Sequence, residues 1–308
     1  GTLANITKRA KLLGDYVKDK ARTASIPIVL HLDHGLTFDV AKACIDGGYS
    51  SVMIDGSAHD YEENVSLTKQ VVDYAHQFDV TVEGELGVIA GVEDHVHAKN
   101  SSYTSTLQAL DFVRRTGVDS LAISYGTKHG ANKGTDIHLR MQVITAIKEL
   151  FLDEGIDVNL VSHGSSTIPP YIVEEANRFG GKINGSGGIP IDQLKTAISC
   201  GINKINIDSD IRLATTRNFR ELAARDHDFA QQASVKAVYD LLAAHPDDID
   251  PRTFMAPIMG LVTTNSPADA AQARLNEAVA QGTQEIMATL IVQFGMLGHA
   301  EDVARYHA

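Results

Sequence analysis

The sequence predicts an α/β protein of parallel βα units, on three features. Short apolar runs rich in β-branched residues recur through the first two thirds of the chain. Helical patterns separate them, as expected where a parallel sheet is covered on both faces. Glycines stand at the junctions, as in IDGGYSSVMID and SCGINKINID, where a helix ends and a strand begins. Such an alternation either closes into a barrel or opens into a doubly wound sheet. No G-x-G-x-x-G follows the first apolar run, and the nearest glycine-rich stretch, GSGG at 185–188, comes late without a strand before it. A (β/α)8 TIM barrel is therefore the expected fold, with its site at the carboxyl ends of the strands.

The polar N-terminal stretch reads as an amphipathic helix, and strands follow near 27–32, 51–55, 80–86, 119–125, 157–163 and 203–208. Helices are expected over 36–47, 62–77, 105–115, 135–153, 170–178 and 190–200. Beyond about residue 210 the pattern is almost wholly helical, interrupted by DDIDPRTFMAP. Six strands are two fewer than such a barrel requires. The expectation is a barrel lacking its first two strands in this chain, truncated at the N-terminus, with a helical C-terminal extension. A single domain is expected over 1–308, with βα units over 1–215 and the helical part over 216–308.

Composition narrows the function. The 308 residues carry a net charge of −12 and are 44% hydrophobic. An acidic surface releases no counterions from nucleic acid or an anionic membrane, so neither is an expected partner. Cys44 and Cys200 are the only cysteines, too few for a disulfide framework. No apolar run approaches the roughly 18 residues that span a bilayer. A cytoplasmic protein is expected.

The dipeptide His-Gly occurs at 34–35, 129–130 and 163–164, each time at or just past the end of an expected strand. In a barrel these ends converge, and three imidazoles with an open fourth position suit a catalytic zinc ion. His31 should face away from Leu32 and His34 by strand alternation and is expected either to be structural or to support a ligand from behind. Acids accompany the histidines. Asp33 neighbours one of them and can move a proton. Asp55 ends a strand, and Glu83 and Glu85 alternate within another. A buried carboxylate is costly unless it is paired or bound to a cation, which marks Asp55 and Glu85 as supporting groups. Glu93 and Asp94 ride on a Gly-flanked loop over 87–97. Lys133, the hydroxyls after His163, and the stretch Asn206, Asp208, Ser209 and Arg212 sit at three strand ends. Amides, hydroxyls and a lysine beside a helix start suit a phosphate.

Taken together, HLDHG, SVMIDGSAHDYEEN, VEGELG, YGTKHGANKG, VSHGSS and GINKINIDSDIR resemble, in order and approximate spacing, the class II metal-dependent fructose-bisphosphate aldolases, a family that includes the tagatose-bisphosphate aldolases. The later DPRTFMAP resembles that family's C-terminal segment. The resemblance implies that His34, His129 and His163 hold a catalytic Zn²⁺, accompanied in some members by Na⁺ or K⁺, with Asp55 and Glu85 as an alternate metal position. It implies that Asp33 exchanges the proton on the hydroxyl at the cleaved bond and that Glu93 is the base at C3. Gly130, Lys133, Gly164, Ser166, Asp208 and Ser209 match the pocket for the ketose 1-phosphate. Asn206 matches a residue at the substrate's reacting end, and Arg212 one that takes the distal phosphate. The implied substrates are phosphorylated ketoses and triose phosphates, most directly fructose 1,6-bisphosphate, with the tagatose isomer as the alternative. A homodimer or homotetramer is implied. A barrel hydrolase built on the same histidines is the competing class; it requires a group bridging two ions and leaves Lys133 and the serines idle.

Overall fold

The computed structural model describes residues 2–93, 96–98, 102–134, 137–185, 187–258 and 266–306. It opens with helix α1 (Leu3–Ala21). Then come β1 (His31–Gly35), α2 (Phe38–Asp46), β2 (Ser51–Ile54), α3 (Tyr61–Ala75) and β3 (Thr81–Leu86). Two short strands, β4 (Gly91–Glu93) and β5 (Val96–Ala98), pair antiparallel. The alternation resumes with α4 (Thr106–Thr116), β6 (Ser120–Ile123), α5 (Met141–Asp153), β7 (Asn159–Ser162), α6 (Pro170–Arg178), α7 (Ile191–Cys200) and β8 (Ile202–Ile205). The remainder is helical: α8 (Ser209–Arg225), α9 (His227–Ala230), α10 (Lys236–Ala244), α11 (Arg252–Met255), α12 (Ala270–Gln293) and α13 (Ala300–Tyr306).

Local chemistry places the helices. Thr37 Oγ1 accepts the Val40 amide at the start of α2, and Asp60 accepts the Glu63 amide at the start of α3. Each cap satisfies a donor that the helix leaves open. Pro170 stands in the first turn of α6, where its missing N–H costs nothing. The first two helices touch backbone to backbone: a Cβ on Gly14 would lie 2.0 Å from Gly47 O.

Six strands form one parallel sheet in the order β1-β2-β3-β6-β7-β8. Its helix-covered face is largely apolar. Val52, Ile54, Val82, Leu121, Ile123 and Leu160 meet Phe112, Ile144, Ile147 and Phe151 in one buried cluster. Each such side chain contributes roughly 1.5–3 kcal/mol through burial. The other face is concave: its two edge strands meet through their side chains, with Lys204 Nζ 3.3 Å from His31 Nε2 and Asn206 Nδ2 donating to Asp33 Oδ1 at 3.1 Å. A small apolar patch of Met53, Ala122 and Val161 lines that face. The buried Asp55, Glu83, Glu85 and His163 share it.

The helical part is bound to the sheet layer. Arg217 on α8 pairs with Glu175 of α6 and Glu285 of α12, and Asn218 Nδ2 donates to Ala278 O at 2.8 Å. Residue 215 lies inside α8, so one helix bridges the two regions drawn from sequence.

Several boundaries differ from expectation. The first strand is His31–Gly35 rather than 27–32, and Val29 is 67% exposed. Among the described residues β1 is an edge strand bonded to β2 alone, so an apolar composition before it does not enforce pairing. The helix expected over 135–153 begins at Met141, because the preceding backbone is tied to the sheet, with the Arg140 amide bonded to Tyr125 O at 2.7 Å. The stretch 87–97 includes paired strands rather than being loop throughout.

Candidate active site

Three imidazoles from three strand ends meet at the mouth of the concave face. The ring centroids of His34 lie 4.7 Å from those of His163 and 5.3 Å from those of His129. One nitrogen of each ring falls within 4.8 Å of the other two. His34 reaches this point by breaking alternation. Its φ of 45° is left-handed, so it turns inward although Leu32, two residues earlier, packs among the helix-side apolar residues. Strain of this kind concentrates where side-chain placement matters more than backbone comfort. Gly164 is needed at its position for a similar reason: its φ is +61°, and a Cβ there would lie 2.6 Å from Lys128 C and 2.9 Å from His129 Cδ2.

Carboxylates orient two of the rings. His34 Nδ1 donates to Asp55 Oδ2 at 2.8 Å, and Asp55 Oδ1 accepts from Ser57 N and Oγ. His163 Nε2 donates to Glu83 Oε1 at 2.7 Å. With their outer nitrogens donating, His34 Nε2 and His163 Nδ1 face each other at 3.1 Å. Burial depresses the His34 imidazole, but the bond to Asp55 and the charges of Glu85 and Asp33 outweigh it and raise it to about 9. Burial, then the neighbouring His34 and His163, push His129 down to about 3. Glu85 is fully enclosed; burial, then the charge of Asp55, lifts its carboxyl to about 8. One oxygen each of Asp55 and Glu85 lies close enough to His34 to form a second donor group.

A cavity of about 460 Å³ adjoins the imidazoles, lined by Gly130, Lys133, Gly164, Ser166, Asn206, Asp208, Ser209 and Arg212. The start of α8 faces it. Ser166 Oγ accepts the amides of Asp208 and Ser209 at 3.3 and 3.1 Å, fixing the turn that leads into the helix. Lys133 is buried and donates to Lys128 O. Asp33 stands at the rim, its side chain 45% exposed and 4.0 Å from His163 Nδ1.

The expected residues His34, His129, His163, Asp33, Asp55, Glu85 and the anion-pocket set are thus gathered in one region. The side chain of Glu93 lies outside the described residues; its backbone ends β4. Four contributors carried no assigned role in the sequence reading. Asp250 and Arg252 line the same cavity, brought there because Asp250 accepts from Arg212 at 2.8 Å. Their signal was the turn-rich DPR inside a helical region. Glu83 and Lys204 pair beneath the histidines at 2.6 Å. A lysine between the two isoleucines of a short strand was the readable sign.

Fold and site together define a parallel βα protein with a three-histidine centre beside an anion cavity. The family profile for class II fructose-bisphosphate aldolase matches residues 1–290, and the chain belongs to that family. It is 43% identical over 247 residues to a fructose-bisphosphate aldolase of Treponema pallidum (strain Nichols), covering 75% of this chain and 68% of that one. It is 37% identical over 280 residues to a fructose-bisphosphate aldolase of Giardia intestinalis, covering 90% and 72%. The crystal structure of the YdjI aldolase from Escherichia coli K12 superposes with a TM-score of 0.60 at 26% identity, over 94% of this chain and 78% of that one.

Proposed function

We propose that this chain carries out the reversible, zinc-dependent aldol cleavage of fructose 1,6-bisphosphate to dihydroxyacetone phosphate and glyceraldehyde 3-phosphate. The observation that supports it is the facing pair of nitrogens on His34 and His163, with His129 beside them. At 3.1 Å the two nitrogens must have a proton or a metal cation between them, and a metal ion can take the proton's place. Nitrogens on a tetrahedral Zn²⁺ are roughly 3.3 Å apart, given bonds of about 2.0–2.1 Å, so the donor set fits that ion. When bound, Zn²⁺ supplies a Lewis acid for the charge left on the ketose fragment as the C3–C4 bond breaks.

The chain's own groups do the rest. Asp33 accepts the proton of the C4 hydroxyl on cleavage and returns it on condensation. Glu93 exchanges the proton at C3. Asn206, hydrogen-bonded to Asp33, orients the reacting end. The amides around Gly130 and Gly164, with Lys133, Ser166, Asp208 and Ser209, hold the 1-phosphate at the start of α8. Arg212, joined by Arg252, receives the distal phosphate; its guanidinium already accommodates the carboxylates of Asp208 and Asp250. Asp55 and Glu85 offer a second resting position for the ion, and the 1-phosphate cradle offers oxygens for Na⁺ or K⁺.

We also read the six strands as six of the eight of a (β/α)8 barrel. The concave sheet, whose two edges are unpaired among the described residues, supports this, as does the relatives' greater length. A coupled assay with each ketose bisphosphate tests the activity. Zinc-dependent, chelator-sensitive release of triose phosphate from the fructose isomer is expected. Release from the tagatose isomer alone would assign the alternative substrate, and release from neither would remove the proposal.

A further inference from the structure

Among the described residues, the concave face holds an ion pair, buried at its carboxylate and 38% exposed at its lysine, that the reaction outlined above leaves unused. Glu83 is 1% exposed and projects from β3 beside Met53, its register partner on β2. Its two oxygens are divided between two partners. Oε1 accepts from His163 Nε2 at 2.7 Å, and Oε2 accepts from Lys204 Nζ at 2.6 Å. Lys204 also donates toward His31 Nε2 at 3.3 Å, and His31 Nδ1 then donates to Ser51 Oγ at 2.8 Å. The result is a chain of contacts, Ser51–His31–Lys204–Glu83–His163, that links four strands and ends on the imidazole just past β7. His31 is its relay, which accounts for a histidine at the start of β1 that faces no cavity group.

Such a pair is a poor source of stability, since desolvating the buried carboxylate offsets its attraction to a lysine that solvent still reaches. The neighbouring positions on this face, Met53, Ala122 and Val161, are apolar. The geometry does something else. An imidazole bonded at Nε2 to a fixed carboxylate has one tautomer and one ring orientation, and presents Nδ1 as its lone pair. Lys204 fixes the carboxylate in turn by holding its other oxygen.

We propose that Glu83, clamped by Lys204, is a positioning residue that locks His163 with Nδ1 toward His34 and His129. This deepens the metal-centre reading given above and rests on it. Removing Lys204 alone would strand the buried Glu83 charge, so the decisive variant replaces both: Glu83→Leu with Lys204→Met.

The expected result is a metal-free melting temperature at or above that of the parent, with Zn²⁺ affinity, measured by chelator competition, roughly 10–100-fold weaker. In the metal-free parent, imidazole ¹⁵N spectra should place the His163 proton on Nε2. The double variant should show a mixture of tautomers. Lys204→Arg, which keeps the clamp, should retain parental affinity. A double variant that binds Zn²⁺ as tightly as the parent overturns the proposal. Should it fail to fold, Glu83→Gln decides, and parental affinity there overturns it equally. A parent that binds no Zn²⁺ removes the centre itself, which separates that failure from failure of the positioning role.

Discussion

His34 Nε2 lies 3.1 Å from His163 Nδ1, although 129 positions separate the two residues. Their outer nitrogens donate to different carboxylates, Asp55 and Glu83, so the inner nitrogens point at each other by construction. Neighbouring rings hydrogen-bonded in this way are arranged for a shared cation, and His129 completes the group.

The carboxylate behind His34 gives a first prediction. Asp55→Ala removes the acceptor that fixes the ring, and metal retention should fall by roughly 10–100-fold. Equilibrium dialysis against a graded chelator measures it. Unchanged retention would mean that the left-handed backbone at His34 suffices to aim the ring.

Gly164 gives a second. Any side chain there meets the Lys128 backbone and the His129 ring while the residue holds φ at +61°. Gly164→Ala should cost about 1–3 kcal/mol of stability, read from urea midpoints, and displace His129. A variant with parental stability and turnover would contradict the close approach.

The arginines give a third. If Arg212 and Arg252 serve the distal phosphate, replacing either by Ala should weaken cleavage of a ketose bisphosphate much more than that of a ketose 1-phosphate. A charged hydrogen bond is worth about 1.5–3 kcal/mol, so kcat/KM for the bisphosphate should drop roughly 10–100-fold. Equal losses on both substrates would place these residues in support of the cavity wall instead.

Acid stability gives a fourth. Burial, then the Lys204 charge, holds the His31 imidazole down at about 4, against the opposing pull of Glu83 and Asp33 and with His163 also nearby. The unfolded chain takes up this proton near 6.5 and the folded one only near 4. The stabilisation is therefore complete above 6.5 and is lost as pH falls from 6.5 toward 4. At ~1.4 kcal/mol per pH unit the full window is worth roughly 3 kcal/mol. His31→Gln should flatten the pH dependence of the urea midpoint over that window; an unchanged slope sinks the assignment.

Much of the alternation was legible because the helix-covered side of each parallel strand is apolar. Leu121, Ile123 and Leu160 carried that signal and pack as expected. Hydrophobicity overreached at residues 27–30, where an edge strand has a partner on one side only. The His-Gly repeats marked the strand ends, yet strict alternation would have turned His34 to the wrong face. A positive φ at a non-glycine residue has no sequence signature of its own. Lys204 and Glu83 were visible as charges in apolar strands, but their pairing depends on the curl that brings β8 and β3 to one interior. Asp250 and Arg252 were the least legible. They reach the cavity through contacts with α8, across a helical region whose pattern predicts helices without saying where they dock.

Among the described residues no helix is long and apolar enough to cross a membrane. The most direct test is the metal content of the purified chain after zinc loading and gel filtration, compared with His34→Ala, His129→Ala and His163→Ala. One Zn²⁺ per chain is expected in the parent, with chelator-sensitive cleavage of fructose 1,6-bisphosphate, and each substitution should abolish both. A His129→Ala protein that keeps its zinc and its turnover would contradict the three-histidine centre.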